Sequence, residues 1–193
     1  MMKIAVLLLA TLCLANAQKF PINAVALIGG AIIDSNMQEP VMIFGDAKFS
    51  QQSAQAPVIA RLNITFMPTT NPIVNQLRGF HVHSFGISNN MNEPSQTCES
   101  AGPHWNPTGT NHGSVTDLRS HLGDLGNVQP VNGRIVTQIT SQKLQLFGEN
   151  SIIGRSVVLH ERADDQGLGN VPMSLKSGNS GSRIACGTIG IVN

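Results

Sequence analysis

Gly79-Phe80-His81-Val82-His83 is the stretch on which the fold turns. Phe80 and Val82 alternate with two histidines at the period of a strand. Residues two apart on a strand share a face, so both imidazoles point one way while Val82 points the other. Runs of the same β-branched character recur on either side, at 24–28, 41–49, 58–66, 135–139, 152–160 and 184–192. Turn residues such as Gly29-Gly30 and Asn132-Gly133 separate them, and helical periodicity is scarce. This is the pattern of an antiparallel sandwich or barrel. With no Tyr and one Trp, its core is expected to be aliphatic. Two segments break the rhythm, 84–134 and 161–182, both rich in Ser, Asn and Gly. Long loops of this kind are uncommon unless they serve a function.

The first seventeen residues stand apart. Lys3 precedes an apolar run over 4–14, and Ala15-Asn16-Ala17 has the small-x-small form of a cleavage site. This reads as a secretory leader, removed to leave a single domain over 18–193 in an extracellular protein. No later run approaches the roughly 20 apolar residues that a membrane span needs. Loss of Lys3 from the 12 basic residues leaves 11 against 11 acidic ones. That neutral balance, without a Lys/Arg run, argues against nucleic acid as a partner. Residues 187–193 carry no basic tail of the kind that binds heparin. Cys13 also departs with the leader, and Cys98 and Cys186 remain. In an oxidising compartment they most simply pair; two unrelated thiols are the alternative. Closing so long a loop is worth ~4–5 kcal/mol in the chain-entropy description.

All six histidines fall into ligand-like spacing: His81, His83, His104, His112, His121 and His160, with Asp124 three residues beyond His121. Seven candidate ligands fill two four-coordinate sites if one imidazole serves both, since each ring has two nitrogens. His81 and His83 share a strand face, and His160 with His104 completes a nitrogen-rich group suited to Cu(II). His104, His112, His121 and Asp124 form a closed nitrogen and oxygen set suited to structural zinc.

The residues around these ligands form a longer pattern. Gly79 through Gly86, Ser100-Ala101-Gly102-Pro103-His104-Trp105-Asn106-Pro107 and Gly123-Asp124-Leu125-Gly126-Asn127 resemble the copper/zinc superoxide dismutases of the secreted and cytosolic types. So do Ile153-Gly154-Arg155, His160-Glu161 and the run from Gly178 through Gly187. The resemblance is close over 79–193 and looser over 20–77. It implies an eight-stranded Greek-key barrel with a long metal-binding loop and a long electrostatic loop. It implies one copper on His81, His83, His104 and His160, and one zinc on His104, His112, His121 and Asp124, with His104 bridging. Asp164 is implied to link His81 with His112, and Cys98 to bond Cys186. Arg183 is implied to guide superoxide, since a permanently charged planar fork suits an oxyanion. Copper would then alternate between Cu(II) and Cu(I), turning superoxide into dioxygen and hydrogen peroxide, with His104 carrying a proton.

Two departures qualify the resemblance. The stretch from His83 to Cys98 is long, with Ser84 and Ile87 in place of acidic or amide residues, which bears on the homodimer contact expected there. Lys176 is present in the steering loop, but Val171-Pro172-Met173 stands where acidic residues commonly shape the field. A secreted metal carrier with little turnover, built on the same scaffold, is the alternative function. Asn63-Ile64-Thr65 is an N-glycosylation sequon, usable if Asn63 faces solvent. Met37, Met42 and Met67 are irregularly spaced and are expected to fill the core.

Overall fold

The computed structural model describes residues 19–33, 39–88 and 94–192. Residues 1–17, read above as a leader, and Met37 lie outside the described residues. Among the described residues eight strands form: β1 Ile22–Ile32, β2 Val41–Gln51, β3 Val58–Met67, β4 Arg78–His83, β5 Asp124–Val128, β6 Arg134–Ser141, β7 Ser156–His160 and β8 Arg183–Val192. All pairings are antiparallel, in the order β5-β4-β7-β8-β1-β2-β3-β6. The edge strands β5 and β6 approach each other, so the sheet curls into a nearly closed barrel. The neighbours β4–β7, β8–β1 and β3–β6 are not consecutive in the chain, which is the Greek-key arrangement expected.

Alternation decides which side chains enter the core. In β2, Val41, Ile43, Ala47 and Phe49 are buried while Met42, Phe44 and Lys48 face out. In β3, Ile64 is buried and Asn63 is exposed, the orientation that the sequon requires. The strands β4 and β7 are buried along their whole length. Phe80 and Val82 enter the core, and the other face, which carries the histidines, lies beneath the long loops.

Four expectations need correction. The run at 152–160 forms a strand only from Ser156; residues 152–155 turn, with Gly154 at φ 81°. The core holds Phe49, Phe66 and Phe80 among its largest buried side chains and so is not purely aliphatic. Met42 and Met67 are not core residues. They are cross-strand neighbours on the outer face, because their positions have the parity of exposed residues. Finally, the long segments are not loops throughout. The strand β5 lies inside the first one, hidden from pattern reading by Gly123 and Gly126. The second contains a single helical turn and a half, α1 Pro172–Ser177, with Pro172 in its first turn and Gly178 at its end. Proline suits a helix start and left-handed glycine a helix stop. No helix among the described residues is long and apolar enough to cross a membrane.

Candidate metal centre

Strand pairing delivers three of the histidines. His81 and His83 come from β4, and His160 ends the adjacent β7. His104 is brought alongside by a backbone bridge to His83, reinforced by Trp105 N donating to Val82 O at 2.8 Å. Each ring then has one nitrogen engaged by the protein. His83 Nδ1 lies 2.7 Å from Gly102 O, and His160 Nδ1 lies 3.2 Å from Gly181 O. A carbonyl only accepts, so Nδ1 carries the proton in both rings and Nε2 keeps a lone pair. Those two Nε2 atoms face each other at 3.3 Å. His81 directs Nε2 to Asp164 Oδ2 at 2.9 Å, which leaves its Nδ1 buried without a partner.

The second group gathers on one oxygen. Asp124 Oδ1 lies 3.0 Å from His104 Nδ1, 2.8 Å from His112 Nδ1 and 3.2 Å from His121 Nδ1. The other carboxylate oxygen is occupied, accepting the backbone N–H groups of Gly113 at 3.0 Å and His121 at 3.1 Å. The far nitrogens of two rings are engaged as well: His112 Nε2 with Asp164 Oδ1 at 2.8 Å, His121 Nε2 with Thr110 O at 3.0 Å.

These contacts are those of metal ligands. A ligating histidine commonly gives its second N–H to a carboxylate or carbonyl, which fixes the ring. Here every ring but His104 has that second contact. His104 instead belongs to both groups, His81–His83–His104–His160 and His104–His112–His121–Asp124, and the candidate donor atoms of each lie within 4.8 Å of one another. Its Nδ1 meets Asp124, while its Nε2 is buried with no partner. Three nitrogens crowding a single carboxylate oxygen outnumber its lone pairs, and a cation among them resolves the conflict. The residues fit two metal ions.

Electrostatics separate the two groups. Burial pushes His104 down to about 3 and His160 to about 2, aided in each by the neighbouring imidazole of His81. Burial holds His83 well below its ordinary value too, with His104 and His160 adding to the effect. These rings stay neutral with lone pairs available. Burial also opposes charge on His112, but hydrogen bonds to Asp124 and Asp164 outweigh it and raise the ring to about 9. Burial opposes ionisation of both aspartates, yet the imidazoles hold them below the usual carboxylate range.

Asp164 joins the groups as expected, with one oxygen on His81 and the other on His112. Asn127 clamps its backbone from β5: Nδ2 donates to Asp164 O at 2.7 Å, and Asp164 N donates to Oδ1 at 2.8 Å. Gly178 closes the other side at φ 63°. A Cβ there would overlap the Asp164 carboxylate and sit 2.5 Å from His112 Nε2, so only glycine fits. Cys98 and Cys186 form a disulfide, with Cα atoms 5.8 Å apart. Arg183 pairs with His160 across the β7–β8 ladder and donates from Nη1 to Cys98 O at 2.9 Å.

Lys143 and Glu99 escaped the sequence reading, as did the contact that Arg155 makes. Lys143 is buried; its Nζ donates to Ser114 O at 3.1 Å and to Ser120 Oγ, tying the loop of His112 and His121 to the barrel. Glu99 approaches Arg183 Nε at 3.6 Å and shares its charge on an exposed edge. Arg155 stacks on Trp105, 3.1 Å from the ring centroid, directly after the shared histidine. Nothing in the local sequence marks these pairs, since each partner is distant along the chain.

A β-barrel with two ligand clusters fused at one imidazole defines a scaffold for a paired metal centre. Residues 43–189 match the family model for copper/zinc superoxide dismutase (SODC). That is well over half of the chain, and the chain belongs to this family. It is therefore an enzyme of the superoxide dismutase class, and the family implies copper and zinc as its metals.

Proposed function

We propose that the chain is an extracellular superoxide dismutase. Copper would be held by His81, His83, His104 and His160, and zinc by His104, His112, His121 and Asp124, one of each per chain. The observation that carries this reading is the ring of His104: Nδ1 lies 3.0 Å from Asp124, and the buried Nε2 has no partner on the other side.

When bound, copper supplies one-electron chemistry between its two oxidation states, and zinc supplies a fixed positive charge. The protein's residues do the rest. Arg183 docks the superoxide anion through a guanidinium that its carbonyl contacts hold in one orientation. His104 Nε2 takes up a proton and gives it to the product, one of the two that hydrogen peroxide needs, the other coming from solvent water. Asp124 keeps that ring in place from its Nδ1 side, and Asp164 keeps His81 and His112 aligned with it. The leader over 1–17 and the Cys98–Cys186 disulfide support secretion. A homodimer contact through the loop after His83 is part of the proposal. Phe85 is exposed there, while 89–93 lie outside the described residues.

Metal content of the secreted protein, measured beside superoxide consumption with and without copper chelation, tests the reading. One copper and one zinc with chelator-sensitive turnover are expected. Zinc alone, with no turnover after copper loading, would make the chain a metal carrier. Arg183→Ile should lower the rate about tenfold or more at low salt with both metals retained. An unchanged rate would remove Arg183 from anion docking.

A further inference from the structure

The outer face of the barrel around β3 carries several large apolar side chains, and the sequon lies at their border with a charged row, Val25, Lys48, Arg61 and Gln138. Cross-strand registers place Leu27, Asp46, Asn63 and Val136 in one row across β1, β2, β3 and β6. Leu27 is 75% exposed and Val136 is 71% exposed. The next row holds Gly29, Phe44, Thr65 and Arg134, and the one beyond it holds Ala31, Met42 and Met67. Phe44, Met42 and Met67 are each about half exposed. Five large apolar side chains thus share one surface. Directly opposed residues lie ~5 Å apart and diagonal ones ~7–8 Å, so Asn63 has Val136 and Asp46 directly across from it and Phe44 and Lys48 on the diagonals.

We propose that Asn63 carries an N-linked oligosaccharide and that its first sugars lie over this face. This rests on the secreted reading above, because only a chain in the secretory route meets the transferase. Asn63 is exposed on β3, and its amide oxygen accepts from Arg134 Nη2 at 3.4 Å. The amide nitrogen has no acceptor among the described residues. Transfer joins Nδ2 to the anomeric carbon of the first N-acetylglucosamine and breaks that carbon's bond to a lipid pyrophosphate donor. The lipid pyrophosphate leaves, the amide loses one proton, and no electrons change hands. Asn63 is paired into the sheet, so the reaction belongs to the extended chain, before β3 meets β2 and β6. Folding then sets the glycan among Phe44, Val136 and Leu27, whose contact with water it reduces. A surface patch of this kind on a free subunit otherwise invites association.

The test uses the full chain, and residues 18–193 behind an unrelated leader, each expressed in a eukaryotic secretory host. The expected result is a glycan on the peptide containing Asn63 in both, lost in Asn63→Gln and Thr65→Ala and kept in Thr65→Ser. Loss of the glycan should raise binding of the dye anilinonaphthalene sulfonate severalfold and promote self-association, with superoxide consumption per bound metal unchanged. Modification with the unrelated leader only would overturn the proposal for the native chain and indict the leader, not the acceptor site. An unmodified Asn63 in both secreted proteins would overturn it outright. A glycan whose removal changes neither dye binding nor association would overturn the covering role. Ordered dimers of Asn63→Gln through this face, equally present in the glycosylated protein, would give the surface to a second copy instead.

Discussion

His81, His83 and His160 sit on strands, whereas His112 and His121 sit on a loop, and the two halves of the centre are held by different forces. The first three inherit their positions from the β4–β7 ladder, and carbonyls of Gly102 and Gly181 fix two of the rings. The loop histidines have no ladder. Asp124, Asp164, Thr110 and the Lys143 tether hold them through polar contacts. A strand-borne site is preset by the fold, while a carboxylate-centred one depends on the charge at its middle. Metal removal should therefore loosen one half more than the other.

The largest expected effect is on the pH dependence of the metal-free chain. His83, His104 and His160 titrate below the ordinary 6.5, so the unfolded state takes up their protons first. Their contribution is present above 6.5 and is lost as the pH falls towards 3. His112 has the opposite sign: its contribution is full below 6.5 and is lost as the pH rises through about 9. Thermal melts should show a maximum between these limbs, with several kcal/mol lost by about pH 4, since each tenfold change in proton affinity is worth ~1.4 kcal/mol. His112→Gln should flatten the alkaline limb alone. If it flattens the acid limb as well, the two halves are not separate.

Next in size is Asp124→Asn. Replacing the carboxylate on which three rings converge should weaken zinc binding by at least ~100-fold, beyond what losing an outer partner costs. Copper bound at the strand side should keep its visible absorption band. Equal loss of both metals would erase the distinction. The smallest effect is that of Lys143→Met. Amide exchange over 113–121 should speed up by an amount corresponding to about 1.5 kcal/mol, as for a hydrogen bond from a charged donor. Exchange at 80–83 should not change. Matching changes in both regions would make Lys143 a general support of the fold, not a tether of the loop.

The strand side was also the legible side. Period-two alternation marks β1 to β4 in the sequence, and it puts His81 and His83 on one face before any pairing is known. The Lys143, Glu99 and Arg155 contacts carry no such mark, because they join residues that only the closed barrel brings together. The strand β5 was illegible for a local reason: two glycines around a Leu leave no alternation to read. Met42 and Met67 mislead by composition. They are apolar residues at outward parity, and parity outweighed hydropathy. The six histidine candidates are legible in the sequence because histidine is rare here and appears nowhere else in the chain, and Asp124 is legible by its place three residues beyond His121.

Trp105 is the chain's one tryptophan, and it follows the shared imidazole directly. With no tyrosine present, ultraviolet emission from the whole protein comes chiefly from this indole, whose residue adjoins the candidate metal centre in the chain. Paramagnetic copper quenches such a fluorophore, while zinc, with its filled d shell, does not. The molecule thus carries its own optical gauge of which cation has been loaded, readable without a label.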